Sequence, residues 1–252
     1  MNAGAPVLET IALNKRFGSL EVARDVSIAL PRGARHALIG PNGAGKTSLV
    51  NLITGQLQPD SGSVRLAGND ITRKPRAARV KAGLARTFQI NALFPDLTPI
   101  EALTLAVCER KGTAGQFWRG LADHGDSIDE AYAILRQLQL GDVATRSTRF
   151  LAYGQQRLLE IGLALATRPR VLLLDEPAAG IPKGESAELF SVIEALPEDI
   201  CVLFIEHDMS LVFRFASRII VLVAGGVLVE AEPEVIRTDQ RVRDVYLGQA
   251  HG

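Results

Sequence analysis

The chain has 252 residues, 47% of them hydrophobic, which is enough to bury one sizeable core and suits a soluble globular protein. Lys plus Arg number 28 and Asp plus Glu number 28, so no overall field draws the chain to nucleic acid, acidic substrates or membrane lipid. The opening MNAGAPVLET lacks a secretory pattern, and the longest apolar run, Ile219 to Val229, falls well short of the ~20 residues of a bilayer-crossing helix.

Residues 7 to 39 hold short alternating apolar stretches between polar and Gly/Pro turns, and they read as strands. His36 to Gly55 follows as HALIGPNGAGKTSLVNLITG, a glycine-rich loop between an apolar strand and an apolar-periodic helix. Gly40-Pro41-Asn42-Gly43-Ala44-Gly45-Lys46-Thr47, continued by Ser48, is the phosphate-binding P-loop pattern. Its bare N–H groups can surround phosphates, Lys46 can reach the β and γ groups, and the Thr47 hydroxyl can sit on Mg²⁺. Leu49, Val50, Leu52 and Ile53 fall on one side of the helix, which Gly55 should stop. GSVRLAG reads as another strand, and Arg73, Lys74, Arg76, Arg79 and Lys81 as a solvated basic face.

From about residue 91 to 167 the pattern turns helical, giving a candidate helical subdomain inside a single domain that spans 1–252. Between its first two helices, a Gly-rich polar stretch carrying Trp118 reads as a surface excursion. Three apolar runs follow, VLLLDE, CVLFIEHD and IIVLV, the first two separated by an amphipathic helix. That alternation indicates an α/β fold around a mostly parallel sheet. Cys108 and Cys201 lie in apolar surroundings without metal-ligand spacing and read as reduced thiols.

Asp175 and Glu176 end the first of these strands at the carboxyl edge, where ligands collect in such sheets. Side chains alternate along a strand, so the two should diverge: Asp175 toward Mg²⁺, Glu176 toward an attacking water. His207 closes the next apolar strand, placed to donate a hydrogen bond to a γ-phosphate. Gly154 precedes a further apolar-periodic helix; by spacing alone this reads first as a plain helix start, with a second anion-binding terminus as the alternative.

In this order the segments resemble the ATP-binding subunit of ABC transporters over nearly the whole chain: GPNGAGKTS the Walker A motif, RTFQ the Q-loop, LAYGQQ the signature, VLLLDEP the Walker B strand and catalytic Glu, IEHD the switch histidine. The resemblance implies a P-loop NTPase core with a small antiparallel β part and a helical subdomain, with ATP and Mg²⁺ as cofactors. It makes Gln89 a residue that touches Mg²⁺ or its water and reports nucleotide state, and it places Phe17 where the family stacks an aromatic on adenine, although residues alone suggest a core Phe. It also implies a head-to-tail dimer in which Gly154 and Gln155 of one subunit cover the ATP on Lys46 of the other.

Two positions depart from the pattern: Ala152 and Tyr153 replace the usual signature serine and glycine, and Pro182 stands near the usual D-loop Asp. Within the family, RTFQ, LAYGQQRLLEIGLALA, DEPAAG, IEHDM and VYLG look like the branched-chain amino acid uptake group, with urea and amide uptake systems sharing the vocabulary. The implied partners are transmembrane permease subunits, docked through Phe94 and Leu97, a second ATP-binding subunit and, indirectly, a periplasmic solute-binding protein. The implied location is the cytoplasmic side of the inner membrane, peripherally bound. A non-transport ATPase working on nucleic acid would carry coiled-coil heptads, tandem cassettes or a long basic tract, and the sequence has none. A regulator that binds nucleotide without hydrolysing it is the remaining alternative, motivated only by the two departures.

Overall fold

The computed structural model describes residues 5–87, 93–113 and 124–247. In β1 (Leu8–Phe17) the buried Leu8, Thr10 and Leu13 face a core shared with Val26, Ile28 and Leu30 of β2 (Leu20–Leu30). With β4 (Ser61–Leu66) and β5 (Asn69–Asp70) these strands form an antiparallel sheet in the order β2-β1-β4-β5. The second sheet runs β10-β9-β3-β8-β7-β6, from β3 (Arg35–Ile39), β6 (Leu84–Arg86), β7 (Val171–Asp175), β8 (Cys201–Ile205), β9 (Arg218–Val223) and β10 (Gly226–Ala231). All its pairs are parallel except the β9–β10 hairpin. This is the expected α/β fold, mostly parallel with a small antiparallel part.

The sheet separates two cores, and the period of two along its strands assigns residues to each. Val171 and Leu173 of β7, with Cys201, Leu203 and Ile205 of β8, face Leu49, Leu52 and Ile53 of α1 (Lys46–Thr54). Leu172, Leu174, Val202 and Phe204 face the other way, where Phe190 of α6 (Lys183–Glu194) meets the Phe204 ring edge-on at 5.2 Å. Asp175 continues the α1-facing set of β7.

After α2 (Arg76–Lys81) and β6, the chain leaves the sheet for α3 (Pro99–Lys111), α4 (Gly125–Gln137) and α5 (Tyr153–Leu165), then returns to β7 beside β6. Leu103, Val107, Leu135 and Leu159 bind these helices into the second core. The start of α3 is fixed by a reciprocal cap: the Thr98 hydroxyl accepts from the Glu101 amide at 3.4 Å, while the Thr98 amide donates to Glu101 Oε2 at 2.8 Å. Trp118 lies outside the described residues. Both cysteines are buried free thiols. Among the described residues, no helix is long and apolar enough to cross a membrane.

One member of the expected solvated basic face is a correction. Arg73, Lys74, Arg76 and Lys81 are exposed, but Arg79 is completely buried. Its guanidinium donates to Leu52 O at 2.8 Å, Ile53 O at 2.6 Å and Lys74 O at 2.9 Å, and also to Thr72 O. The α1 helix stops at a left-handed Gly55, so its last carbonyls lack intrahelical donors, and a cation at that end satisfies them and complements the dipole.

His36 on β3 is buried between β8 and β9, its Nδ1 without a partner, and burial aided by Arg218 lowers its pKa to about 4. A depressed folded pKa supplies stability that is full above the unfolded value near 6.5 and is lost as pH falls through about 4. Acid titration of the unfolding free energy should show a loss of about 3 kcal/mol over that window, on the order of 1.4 kcal/mol per pKa unit. In His36→Leu the loss should be markedly smaller.

Candidate active site

The central strands β3, β8 and β7 are neighbours, so the loops leaving their carboxyl ends share one edge of the sheet. The loop after β3 has glycine where nothing else fits: a Cβ on Gly40 would lie 2.1 Å from Leu222 O, and Gly45, at φ 102°, would put one 2.4 Å from Val22 O. Between them Ala44 N donates to Pro41 O at 3.2 Å, and Gly225 N ties the loop to the β9–β10 turn through Ala44 O at 2.9 Å. Asn42 and Gly43 are exposed at the tip. Lys46 is buried and folds back over the loop, donating to Gly40 O at 2.7 Å and Pro41 O at 3.0 Å. Burial pushes its pKa down, opposed by the charges of Glu176 and Asp175. The first bond within α1 runs from Leu49 N to Gly45 O, which leaves the amides of Lys46, Thr47 and Ser48 ahead of it without intrahelical acceptors. Such a helix start receives anions.

Asp175 and Glu176 diverge. Asp175 is buried, with Oδ2 2.6 Å from Arg86 Nη2. Glu176 takes a left-handed φ of 49°, its amide donating to Ile205 O at the end of β8 at 3.0 Å. That turn carries its carboxylate to His207, where Oε1 and Nε2 are 3.0 Å apart. Strain of this kind on a non-glycine residue costs on the order of 1–3 kcal/mol and persists only where surrounding structure enforces it. Glu206 contributes to that enforcement: it is buried, and its two oxygens accept from Ala178 N at 2.9 Å and His207 N at 3.2 Å. Burial, together with nearby Glu176, raises the Glu206 pKa despite those bonds. Asp208 then caps α7 (Met209–Phe215) through Ser210 N at 2.9 Å.

Lys46, Asp175, Glu176 and His207 thus lie together at this edge of the sheet. Arg86 and Glu206 were missed by the sequence reading, because each acts through a partner far along the chain. Gly154, Gln155 and Phe17 lie on other elements. Gly154 and Gln155 open α5, where a Cβ on Gly154 would meet Glu185 at 3.6 Å and the Gln155 side chain turns back to accept from Ala152 N at 3.0 Å. Tyr153 lies against Gly180 of the loop that follows Glu176, and Arg157 stacks over its ring at 5.2 Å. Pro182 is the exposed cap of α6. Phe17 is no core residue: it is 53% exposed at the end of β1, with the Lys15 ammonium 5.6 Å from its ring centre. Gln89 lies outside the described residues.

Among the described residues, no group of three His, Cys, Asp or Glu side chains forms a metal cage. One buried carboxylate and one exposed hydroxyl, Asp175 and Thr47, nevertheless fit Mg²⁺, which keeps waters and shares substrate phosphates instead of demanding an all-protein site.

Residues 23–179 match the ABC transporter family. The high-affinity branched-chain amino acid transport ATP-binding protein BraF of Pseudomonas aeruginosa is 39% identical, with 97% of this chain and 99% of that protein covered. LivG of Escherichia coli K12, named for the same transport, is 37% identical over the same shares. The ADP conformation of MJ1267, an ATP-binding cassette of an ABC transporter, has the same fold with a TM-score of 0.82 and 31% identity, covering 96% of this chain and 99% of that one. With the phosphate loop, the two strand-end carboxylates and the histidine assembled at one sheet edge, the chain belongs to the ABC transporter family as one of its ATP-binding cassettes.

Proposed function

We propose that this chain is the ATP-hydrolysing, energy-coupling subunit of an importer for branched-chain or related amino acids. The observation that carries the proposal is the convergence of Lys46, Asp175, Glu176 and His207 at the ends of adjacent strands. Likeness to transport ATP-binding proteins of that solute class supports the choice of cargo.

In this reading the Gly40–Ser48 loop and the start of α1 bind the triphosphate, and Lys46 exchanges the carbonyls of Gly40 and Pro41 for phosphate oxygens. Thr47 and Asp175 would hold Mg²⁺, which when bound would neutralise phosphate charge. Glu176 removes the proton from a water as its oxygen attacks the γ-phosphorus; the bond to the bridging oxygen breaks and ADP leaves with the electron pair. His207, whose Nε2 meets Glu176 in the nucleotide-free chain, turns that nitrogen's N–H to the γ-phosphate once nucleotide is bound. Phe17 has the exposure an adenine platform requires. The family resemblance assigns Gly154 and Gln155, at the start of α5, to the nucleotide of a second copy in a head-to-tail dimer, or to that of a paralogue.

The partners on this account are two permease subunits, supplied indirectly by a periplasmic binding protein, and the chain works peripherally on the cytoplasmic face of the inner membrane. The permease meets the start of the helical part, where Phe94 is 66% exposed. Co-expression with permeases encoded beside it, followed by reconstitution in vesicles with ATP inside, tests this. The expected result is ATP-dependent leucine uptake that urea and amides do not inhibit. Vesicles that accumulate urea or an amide and exclude leucine would refute the cargo.

A further inference from the structure

Arg86 ends β6 in register with Leu173 of β7, one strand from the site edge. Its guanidinium reaches three side chains: Nη2 donates to Asp175 Oδ2 at 2.6 Å, and Nη1 donates to Asn51 Oδ1 on α1 at 2.7 Å and to Gln56 Oε1 at 3.3 Å. Both members of the ion pair are largely out of water, their side chains 11% and 3% exposed. The Nε–H is buried without a partner. The same side chain helps wall a cavity of about 280 Å³ together with Leu84, Leu93, Glu160 and Leu163. Buried ion pairs are weak stabilisers because desolvation offsets their attraction, and a bare donor adds to the cost. Fold stability is therefore a poor explanation for Arg86.

We propose that Arg86 is a positioning residue for the divalent cation: by gripping one oxygen of Asp175 while anchored to Asn51, it fixes the carboxylate so that its other oxygen serves the metal beside the Lys46 loop. The proposal rests on the reading of Asp175 as a metal ligand. The planar guanidinium suits the task, because two nitrogens at fixed spacing hold Asp175 and α1 in one relative placement. A lysine ammonium keeps the charge but lacks the fork. Arg86 touches neither nucleotide nor metal in this scheme and acts through Asp175.

The test uses the full chain, with ATP binding measured in EDTA and across a Mg²⁺ titration. Groups that orient a metal ligand typically change metal affinity about 10–100-fold when removed. Arg86→Gln should leave metal-free ATP affinity within about twofold of the parent while raising the half-saturating Mg²⁺ concentration about tenfold. Arg86→Lys should recover only part of that shift. Asn51→Ala removes an anchor of Arg86 without touching Asp175, so it should move the Mg²⁺ midpoint the same way by a smaller factor, and it stands in if Arg86→Gln fails to fold. An unchanged midpoint, a tighter one, or an equal loss of metal-free ATP binding overturns the proposal. Asp175→Asn separates the two levels. If it too leaves the Mg²⁺ dependence intact, the reading of Asp175 fails; if it abolishes that dependence while Arg86→Gln does not, only the role of Arg86 fails.

Discussion

Glu176→Gln is expected to lower ATP turnover about 10²–10⁴-fold, the usual contribution of a positioned general base, while leaving ATP affinity near that of the parent. The amide keeps the length of the side chain and can still meet His207, so the 3.0 Å contact and the left-handed turn should survive. What it loses is the ability to take a proton. With hydrolysis blocked and both phosphate-binding elements intact, the substitution should also trap an ATP-bound dimer, seen as a doubling of mass in light scattering that ADP does not produce. Turnover equal to the parent would remove Glu176 as the base. A weakened ATP affinity would show that the carboxylate holds substrate instead.

Lys46→Met is expected to act one step earlier. The methionine keeps an apolar stem at this buried position, but the ammonium that donates to both carbonyls, and to phosphate oxygens once nucleotide arrives, is gone. On binding, Lys46 trades two neutral carbonyl acceptors for anionic phosphate oxygens, and a gain on the order of 1.4 kcal/mol or more from that exchange means its loss weakens ATP binding by about 10-fold or more. The two substitutions should therefore separate cleanly, Lys46→Met failing to retain ATP and Glu176→Gln retaining it without turnover. Isothermal titration with ATP in the presence of Mg²⁺ measures both, and comparable affinities in the two variants would contradict these roles.

What the sequence reveals of this site follows the range of the interaction involved. The Gly40–Thr47 loop is legible because its chemistry is local: the glycines are required by backbone contacts and by the helix start they create. Asp175 and Glu176 are legible because the apolar strand they end shares its chain with a phosphate loop; alone, two acids at a strand end read equally well as a solvated terminus. Arg86 is not, since its meaning arises only when β6 returns to β7 across an intervening helical excursion and sets it 2.6 Å from Asp175. Glu206 is hidden for a similar reason, as nothing beside it in sequence shows that it accepts from Ala178.

Arg79 marks the limit of charge patterning. It sits among exposed basic neighbours on a short helix, and two of the four carbonyls that hold it inside belong to α1, far from it in sequence. The reading of Phe17 as a core residue fails because alternation in β1 gives way to bulges toward its end, leaving the ring in solvent. Tyr153 shows a different effect. The bulkier residue at the signature position packs across to Gly180, so the departure from the family pattern builds a contact within the chain.

The central claim is that one triphosphate is held between the Lys46 loop of one copy and the start of α5 of another, with Mg²⁺ on Thr47 and Asp175. A crystal structure of Glu176→Gln with ATP and Mg²⁺ tests it most directly. The account predicts a two-fold assembly in which the γ-phosphate meets Lys46 Nζ of one subunit and the Gly154 amide of its mate. A structure in which ATP is bound to Lys46 while every Gly154 faces away from any nucleotide would contradict it.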